Sequence, residues 1–114
     1  YGMYEVTLYS EKYNDIFVSR QFELRKISHK NTHPAENQRI IHQIAYLAWP
    51  DFGVPESIDE FLCFVKEADR TWLDCNISHI GPCIVHCSAG VGRTGTYILA
   101  DLCLSQVCIF CNVR

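Results

Sequence analysis

A ten-residue segment, His86 to Gly95, constrains this chain more than any other part of its sequence. It reads His-Cys-Ser-Ala-Gly-Val-Gly-Arg-Thr-Gly, so five mostly small residues separate a cysteine from an arginine. The apolar, β-branched run from Cys83 to Val85 before it predicts a buried strand, and the stretch from Thr94 to Val107 predicts a helix. The segment is therefore expected to join a strand to the N-terminus of a helix.

A turn of this kind is suited to binding a phosphate group. Consecutive backbone N–H groups converge on one point, and the helix dipole adds partial positive charge there. Gly90 and Gly92 would let the backbone approach the phosphate oxygens closely. We call His86 to Gly95 the phosphate loop.

Cys87 and Arg93 are the chemically active side chains of the phosphate loop. Amides and a guanidinium around Cys87 would lower its pKa below the usual ~8.5 and make it a nucleophile at neutral pH. The planar fork of Arg93 would bind two phosphoryl oxygens, which a lysine cannot do. The alternative for Cys87 is a buried, inert thiol, the common fate of a free cysteine.

A second segment, Trp49-Pro50-Asp51-Phe52-Gly53-Val54-Pro55, offers an acid for a leaving oxygen. We call it the acid loop. Pro50 and Pro55 stiffen its ends and Gly53 adds backbone freedom, a composition that favours movement as a unit, with Trp49 as the hinge anchor. Asp51 would protonate the leaving group and later take a proton from water. The alternative is an aspartate that only satisfies nearby turn amides.

The remaining sequence predicts three strands and a further helix. The strands are Tyr4 to Tyr9, Asp15 to Leu24 and Arg39 to Trp49, of which the first two could form a hairpin across Ser10 to Asn14. Ser28 to Asn37 reads as a polar loop. Ser57-Ile58-Asp59-Glu60 is a capping box, and apolar residues at helical spacing continue the helix to about Leu73. Strands and helices in this order predict an α/β fold, a mixed twisted sheet flanked by helices.

The two loops together resemble the protein tyrosine phosphatase family, with its His-Cys-(x)5-Arg-(Ser/Thr)-Gly and Trp-Pro-Asp motifs. Further similarity, from about Val6 to Leu104, includes Trp49 to Ser57 and Leu99-Ala100-Asp101-Leu102-Cys103-Leu104. These runs resemble the intracellular, non-receptor branch typified by the T-cell phosphatase. The resemblance implies the fold of that family and hydrolysis of phosphotyrosine in proteins through a cysteinyl-phosphate, without a metal or other cofactor.

The resemblance also implies a role for each matching residue. Cys87 is the nucleophile, Arg93 binds the phosphate, and Asp51 is the general acid and base. Thr94 assists departure of the thiolate, and His86 holds the cysteine and lowers its pKa, although a neutral histidine satisfied in the core is the ordinary alternative. Phe52 closes against the substrate ring, Trp49 and Pro50 form the hinge, and the backbone donors come from Ser88, Ala89, Gly90, Val91 and Gly92.

Two segments of the family pattern have no counterpart in these 114 residues. They are an upstream loop whose aromatic stacks on the phosphotyrosine ring and a downstream loop whose glutamine positions water. The resemblance therefore implies that residues 1–114 form a single, partial catalytic domain. The tail Ser105 to Arg114 departs from the pattern of the branch.

Composition limits the partners and the compartment. A net charge of −3 with no basic stripe argues against nucleic acid as a partner, and no apolar run approaches the length of a membrane span. Seven cysteines at irregular spacing indicate reduced thiols and a cytoplasmic location, with Cys87 open to reversible oxidation. Cys108-x-x-Cys111 lacks further ligands for zinc, and Cys63 and Cys103 read as packing residues.

Three functions remain open from the sequence. The first is a phosphotyrosine-protein phosphatase acting in signalling. The second is a catalytically impaired module that binds phosphotyrosine, which the joint presence of Cys87, Arg93 and Asp51 disfavours. The third is a lipid or dual-specificity phosphatase, which the uncharged Ala89 and Val91 disfavour.

Overall fold

The computed structural model describes residues 2–27, 38–76 and 82–111, and side chains only as far as residue 107 in the last range. Three strands are followed by two helices. Their bounds are β1 Tyr4–Tyr13, β2 Phe17–Lys26, β3 Gln38–Tyr46, α1 Ile58–Asn76 and α2 Gly92–Cys111. The chain divides into two compact units, Tyr1–Phe64 and Val65–Arg114. The predicted α/β class is confirmed.

The hairpin of β1 and β2 forms as predicted, but its turn lies later in the chain. Asn14 makes the turn, because its Oδ1 accepts hydrogen bonds from the backbone N–H of Ile16 at 2.9 Å and of Phe17 at 2.7 Å. The strand pairing shifts between Leu8 and Ser10, which leaves Tyr9 as the extra residue of a β-bulge. The bulge interrupts the two-residue alternation, so the sequence pattern ends at Tyr9 although the strand continues.

Polar pairs extend the hairpin beyond the bulge. Ser10 Oγ donates to Gln21 Oε1 at 3.0 Å, and the Arg20 guanidinium is paired with the Glu11 carboxylate. Strand β3 pairs antiparallel with β2, so the described sheet has the order β1-β2-β3. The third strand ends at Tyr46 rather than Trp49. The predicted polar loop of residues 28–37 lies outside the described residues.

Helix α1 begins where the capping box predicts. Ser57 Oγ accepts a hydrogen bond from the backbone N–H of Glu60 at 3.2 Å, which satisfies one N–H of the first turn. Phe64 of α1 contacts two aromatic residues of the sheet. Its ring centroid lies 5.0 Å from that of Tyr46 and 6.3 Å from that of Phe17. These aromatic contacts attach the start of α1 to β2 and β3.

Some predictions about strand and core are wrong. Cys83 to Val85 are not a strand, and the Ile84 side chain is 83% exposed. A strand needs a neighbour to take its backbone hydrogen bonds, and none of the described strands pairs with this segment. Cys63 and Cys103 are exposed rather than packed. The side chains of Cys108 and Cys111, for which the sequence offers no further zinc ligands, lie outside those described.

Helix α2 begins at Gly92, two residues before the predicted start. Arg93 and Thr94 therefore belong to its first turn, directly after the phosphate loop's bend. No helix in the described ranges is both long and apolar enough to cross a bilayer.

Candidate active site

The backbone of the phosphate loop turns sharply at Gly90, which has a φ of 73°. This left-handed conformation is strained for any residue with a Cβ, so the glycine is required by the turn. Gly92, by contrast, is helical, and a Cβ there would meet nothing within 4 Å. Of the two predicted glycine roles, only that of Gly90 is seen in the backbone conformation.

The bend directs backbone N–H groups at the Cys87 sulfur. The N–H of Gly90 donates to Sγ at 3.2 Å. The hydroxyl and the amide of Thr94 and the amides of Gly90 and Ala89 lower the pKa of the Cys87 thiol from 9.0 to about 6, and desolvation opposes them. A pKa of about 6 favours the thiolate form of Cys87 at neutral pH, the direction that the sequence predicts.

The hydroxyl of Thr94 makes the largest contribution to that pKa. Its Oγ1 is buried, and within the described part of the chain it has no hydrogen bond of regular geometry to another group. Because an anionic sulfur is a much better acceptor than a neutral thiol, ionisation of Cys87 gives this hydroxyl the partner that it needs. The resemblance assigns Thr94 to thiolate departure, and the pKa effect is an addition to that role.

Arg93 reaches back across the phosphate loop. Its Nη2 donates to Ser88 Oγ at 2.9 Å, so the guanidinium lies on the same side of the bend as the first residue after the cysteine. Arg93 is not among the groups that lower the pKa of Cys87. The predicted contact between guanidinium and thiolate therefore stays a prediction.

His86 is exposed, and its Nδ1 lies 3.4 Å from the carbonyl oxygen of Cys87. This contact joins the ring to the backbone of the cysteine and not to its sulfur. Since His86 is absent from the causes of the Cys87 pKa shift, its predicted influence on that pKa stays a prediction.

The side chain of Trp49 forms a hydrogen bond across the acid loop. Its indole Nε1–H donates to the carbonyl oxygen of Gly53 at 2.9 Å. A Cβ at Gly53 would lie 3.0 Å from Cγ of Pro50, so the loop is tightly folded at this point. Within it, Phe52 has a φ of 59° and a fully exposed side chain, and Asp51 is exposed.

Phe61 of α1 packs against Trp49 of the acid loop. Its ring meets that of Trp49 edge-on, with centroids 5.5 Å apart and an interplanar angle of 88°. The centroid of Phe61 also lies 6.1 Å from that of Tyr46 in β3. Trp49, the predicted hinge residue, is therefore held by the aromatic cluster that attaches the helix to the sheet.

The structure thus brings the predicted residues together in two groups. Thr94 and the loop amides act on the Cys87 sulfur in the second unit, where Arg93 binds Ser88 of the same loop, and the acid loop forms a compact turn in the first unit. Sequence reasoning missed the hydrogen bond from Arg93 to the Ser88 side chain and the contact of Phe61 with Trp49. Among the residues described, no cluster of histidine, cysteine or acidic side chains could hold a metal ion.

Comparison with known proteins places the chain in a family. Residues 1–112 match the protein-tyrosine phosphatase family. The chain is 36% identical over 107 residues to tyrosine-protein phosphatase 99A of Drosophila melanogaster, and 41% identical over 107 residues to receptor-type tyrosine-protein phosphatase S of Gallus gallus. It is 38% identical over 99 residues to tyrosine-protein phosphatase non-receptor type 61F of Drosophila melanogaster.

The coverage of these alignments is very unequal. They include 94%, 94% and 85% of this chain, but only 8%, 6% and 17% of the three relatives, in the same order. The chain belongs to the protein tyrosine phosphatase family. The relatives include both receptor-type and non-receptor proteins. The comparisons therefore show the family to which the chain belongs, but not its branch.

Proposed function

We propose that this chain hydrolyses phosphotyrosine in proteins through a cysteinyl-phosphate intermediate, without a metal or other cofactor. The observation that supports it most is the Cys87 thiolate, with a pKa of about 6, at the floor of a loop whose amides point to the sulfur. A thiolate in that position can attack phosphorus directly.

In this mechanism the phosphate loop binds and stabilises the transferred group. Backbone N–H groups from Ser88 to Gly92 and the guanidinium of Arg93 bind the phosphoryl oxygens as charge develops on them. The sulfur–phosphorus bond forms as the bond to the tyrosine oxygen breaks. In the second step water attacks the phosphorus, and the Thr94 hydroxyl stabilises the departing thiolate. His86 holds the backbone of the cysteine.

The acid loop supplies the proton transfers and the contact with the substrate ring. Asp51 donates a proton to the leaving tyrosine oxygen and takes one from the attacking water, because one group serves both directions. The exposed Phe52 packs against the substrate ring, and Trp49 and Pro50 are the hinge about which the loop moves.

The branch and the compartment are finer parts of the same proposal. The run from Trp49 to Ser57 supports the intracellular branch that resembles the T-cell phosphatase, and the number and spacing of the cysteines support a reducing, cytoplasmic location. The partners are then phosphotyrosine-containing signalling proteins.

The test is phosphate release from a phosphotyrosine peptide by the protein at its natural length. Cys87→Ser should abolish release. Asp51→Ala should lower kcat by about 10²- to 10⁴-fold with no rise in KM, because a general acid acts on the transition state. The matched controls are Cys103→Ser and Asp59→Ala, which remove an exposed thiol and an exposed carboxylate outside the two loops.

The outcomes separate the candidate functions. Tight peptide binding without release by the wild type would favour a phosphotyrosine-binding module. Equal release from phosphoserine and phosphotyrosine peptides would favour a dual-specificity phosphatase. Release that survives Cys87→Ser would contradict the cysteinyl-phosphate.

A further inference from the structure

A hydrogen bond between Arg93 and Ser88 connects the two ends of the bend in the phosphate loop. Nη2 of Arg93 lies 2.9 Å from Ser88 Oγ, and the two residues are separated by the whole bend. Ser88 is exposed, and it enters the proposed mechanism only through its backbone N–H. Its side chain therefore has a partner but no assigned role.

The bond to Ser88 restricts the orientation of the Arg93 guanidinium, which matters for binding a phosphoryl group. Arginine has five N–H donors in one plane, and two donors on one edge are needed to bind a phosphoryl group in bidentate fashion. A long, flexible side chain loses conformational freedom when it adopts that orientation. A fixed acceptor for one Nη2 proton restricts the plane of the guanidinium before the anion binds.

The hydroxyl of Ser88 has no such connection to the nucleophile. The groups that lower the pKa of Cys87 are the Thr94 hydroxyl and the amides of Thr94, Gly90 and Ala89, and no atom of Ser88 is among them. Loss of the Ser88 hydroxyl is therefore separable from loss of the thiolate.

We propose that Ser88 is a positioning residue for Arg93, whose hydroxyl orients the guanidinium over the phosphate loop and so raises the affinity of the loop for a tetrahedral oxyanion. This inference rests on the proposed function, because it concerns the same loop. It assigns the Ser88 side chain to oxyanion binding and leaves the activation of Cys87 to other groups.

The experiment measures binding of inorganic phosphate, by calorimetry, to the wild type and to Ser88→Ala, Ser88→Thr, Arg93→Ala and the double variant Ser88→Ala/Arg93→Ala. Ser88→Ala should weaken binding about fivefold, the effect of one net hydrogen bond. Ser88→Thr should bind within twofold of the wild type because it keeps the hydroxyl. In the Arg93→Ala background, the serine substitution should change the affinity by less than twofold.

Two further measurements separate positioning from a structural effect. In ¹⁵N NMR spectra, Ser88→Ala should average the guanidinium Nη signals of Arg93 by faster rotation, a result that needs no ligand. The midpoint pH for alkylation of Cys87 should stay unchanged in Ser88→Ala, whereas a general collapse of the loop would raise it.

Several results would overturn the inference. One is unchanged or tighter phosphate binding by Ser88→Ala, and another is an equal loss of phosphate affinity when Ser88→Ala is added to Arg93→Ala. The others are failure of Ser88→Thr to bind phosphate as the wild type does, and guanidinium signals of Arg93 that do not change in Ser88→Ala. Failure of the proposed function is recognised separately. A wild type that shows the Ser88–Arg93 coupling but releases no phosphate from the peptide would contradict the function and leave the positioning role intact.

Discussion

Cys87 owes its low pKa to neighbours that the phosphate loop supplies, above all the Thr94 hydroxyl. The thiolate should therefore appear with a midpoint near pH 6, measured as the pH dependence of Cys87 alkylation in a background whose other cysteines are serine. Thr94→Val should move the midpoint upward, toward the ordinary 9.0, and Thr94→Ser should restore it. An unchanged midpoint in Thr94→Val would show that the amides alone activate the sulfur.

The same pKa makes stability depend on pH. The folded pKa lies below the ordinary value, so the stabilising contribution is complete above about pH 9, declines below it and is lost as the pH falls through about 6. The difference in Tm between the wild type and Cys87→Ser should therefore grow from pH 5 to pH 9. Thermal unfolding in the presence of a reductant measures it, and a difference independent of pH would contradict the assignment.

Phe52 is strained and makes no use of its side chain in packing. Its φ of 59° is unfavourable for a residue with a Cβ, and the ring is fully exposed. Phe52→Asn should raise the free energy of unfolding by about 0.5–1 kcal/mol, because asparagine tolerates the left-handed region. Val54→Asn, at an exposed position without a positive φ, is the control. Urea denaturation measures both, and a loss of stability in Phe52→Asn would indicate packing of the ring.

At the scale of elements, the N-terminus of α1 depends on one side chain. Ser57→Ala removes the acceptor for the Glu60 N–H, so it should lower the free energy of unfolding by about 1 kcal/mol, and Ser57→Asp should retain most of the stability. Urea denaturation followed by circular dichroism is the measurement. Equal stability of the alanine and aspartate variants would show that the cap is satisfied by solvent.

The elements also show why sequence reasoning succeeds in some places and fails in others. The start of α1 was predictable because Ser57 and Glu60 form a local signal. The hairpin turn was misplaced because the bulge at Tyr9 breaks the alternation before the strand ends. Cys83 to Val85 look like a strand by composition, but strand formation depends on a neighbour, which composition cannot supply.

Some features of the candidate site were also predictable from the sequence, and others were not. The turn of the phosphate loop and the low pKa of Cys87 follow from consecutive residues and were predictable. The bond from Arg93 to Ser88 and the contact of Trp49 with Phe61 were not. Each depends on which of several possible partners a long or bulky side chain reaches, and that choice is made by packing.

For the molecule as a whole, the buried apolar side chains of the described residues are Val18 and Val65, which are 0% and 4% exposed. Leu8 and Ile41 flank Phe22 in one row across the sheet and are 50% and 41% exposed. A row of this kind should bind the dye ANS.

Replacing both outer members of the row tests this surface. Leu8→Lys/Ile41→Lys should lower ANS fluorescence and change the free energy of unfolding by less than about 0.5 kcal/mol, as exposed substitutions usually do. Ile98→Lys, on α2 and 43% exposed, is the control and should leave the fluorescence close to that of the wild type. A large loss of stability in the double variant would show that the row contributes to the core.

The bulge in the first strand has one further consequence for anyone comparing related sequences. Before Tyr9 the residues that share a face with Phe22 and Arg20 are even-numbered, as Leu8 is, and after it they are odd-numbered, as Glu11 is. The extra residue thus shifts the phase of the strand by one. A relative with the same number of residues here but no bulge would align without a gap, yet every side chain on one half of its strand would change sides.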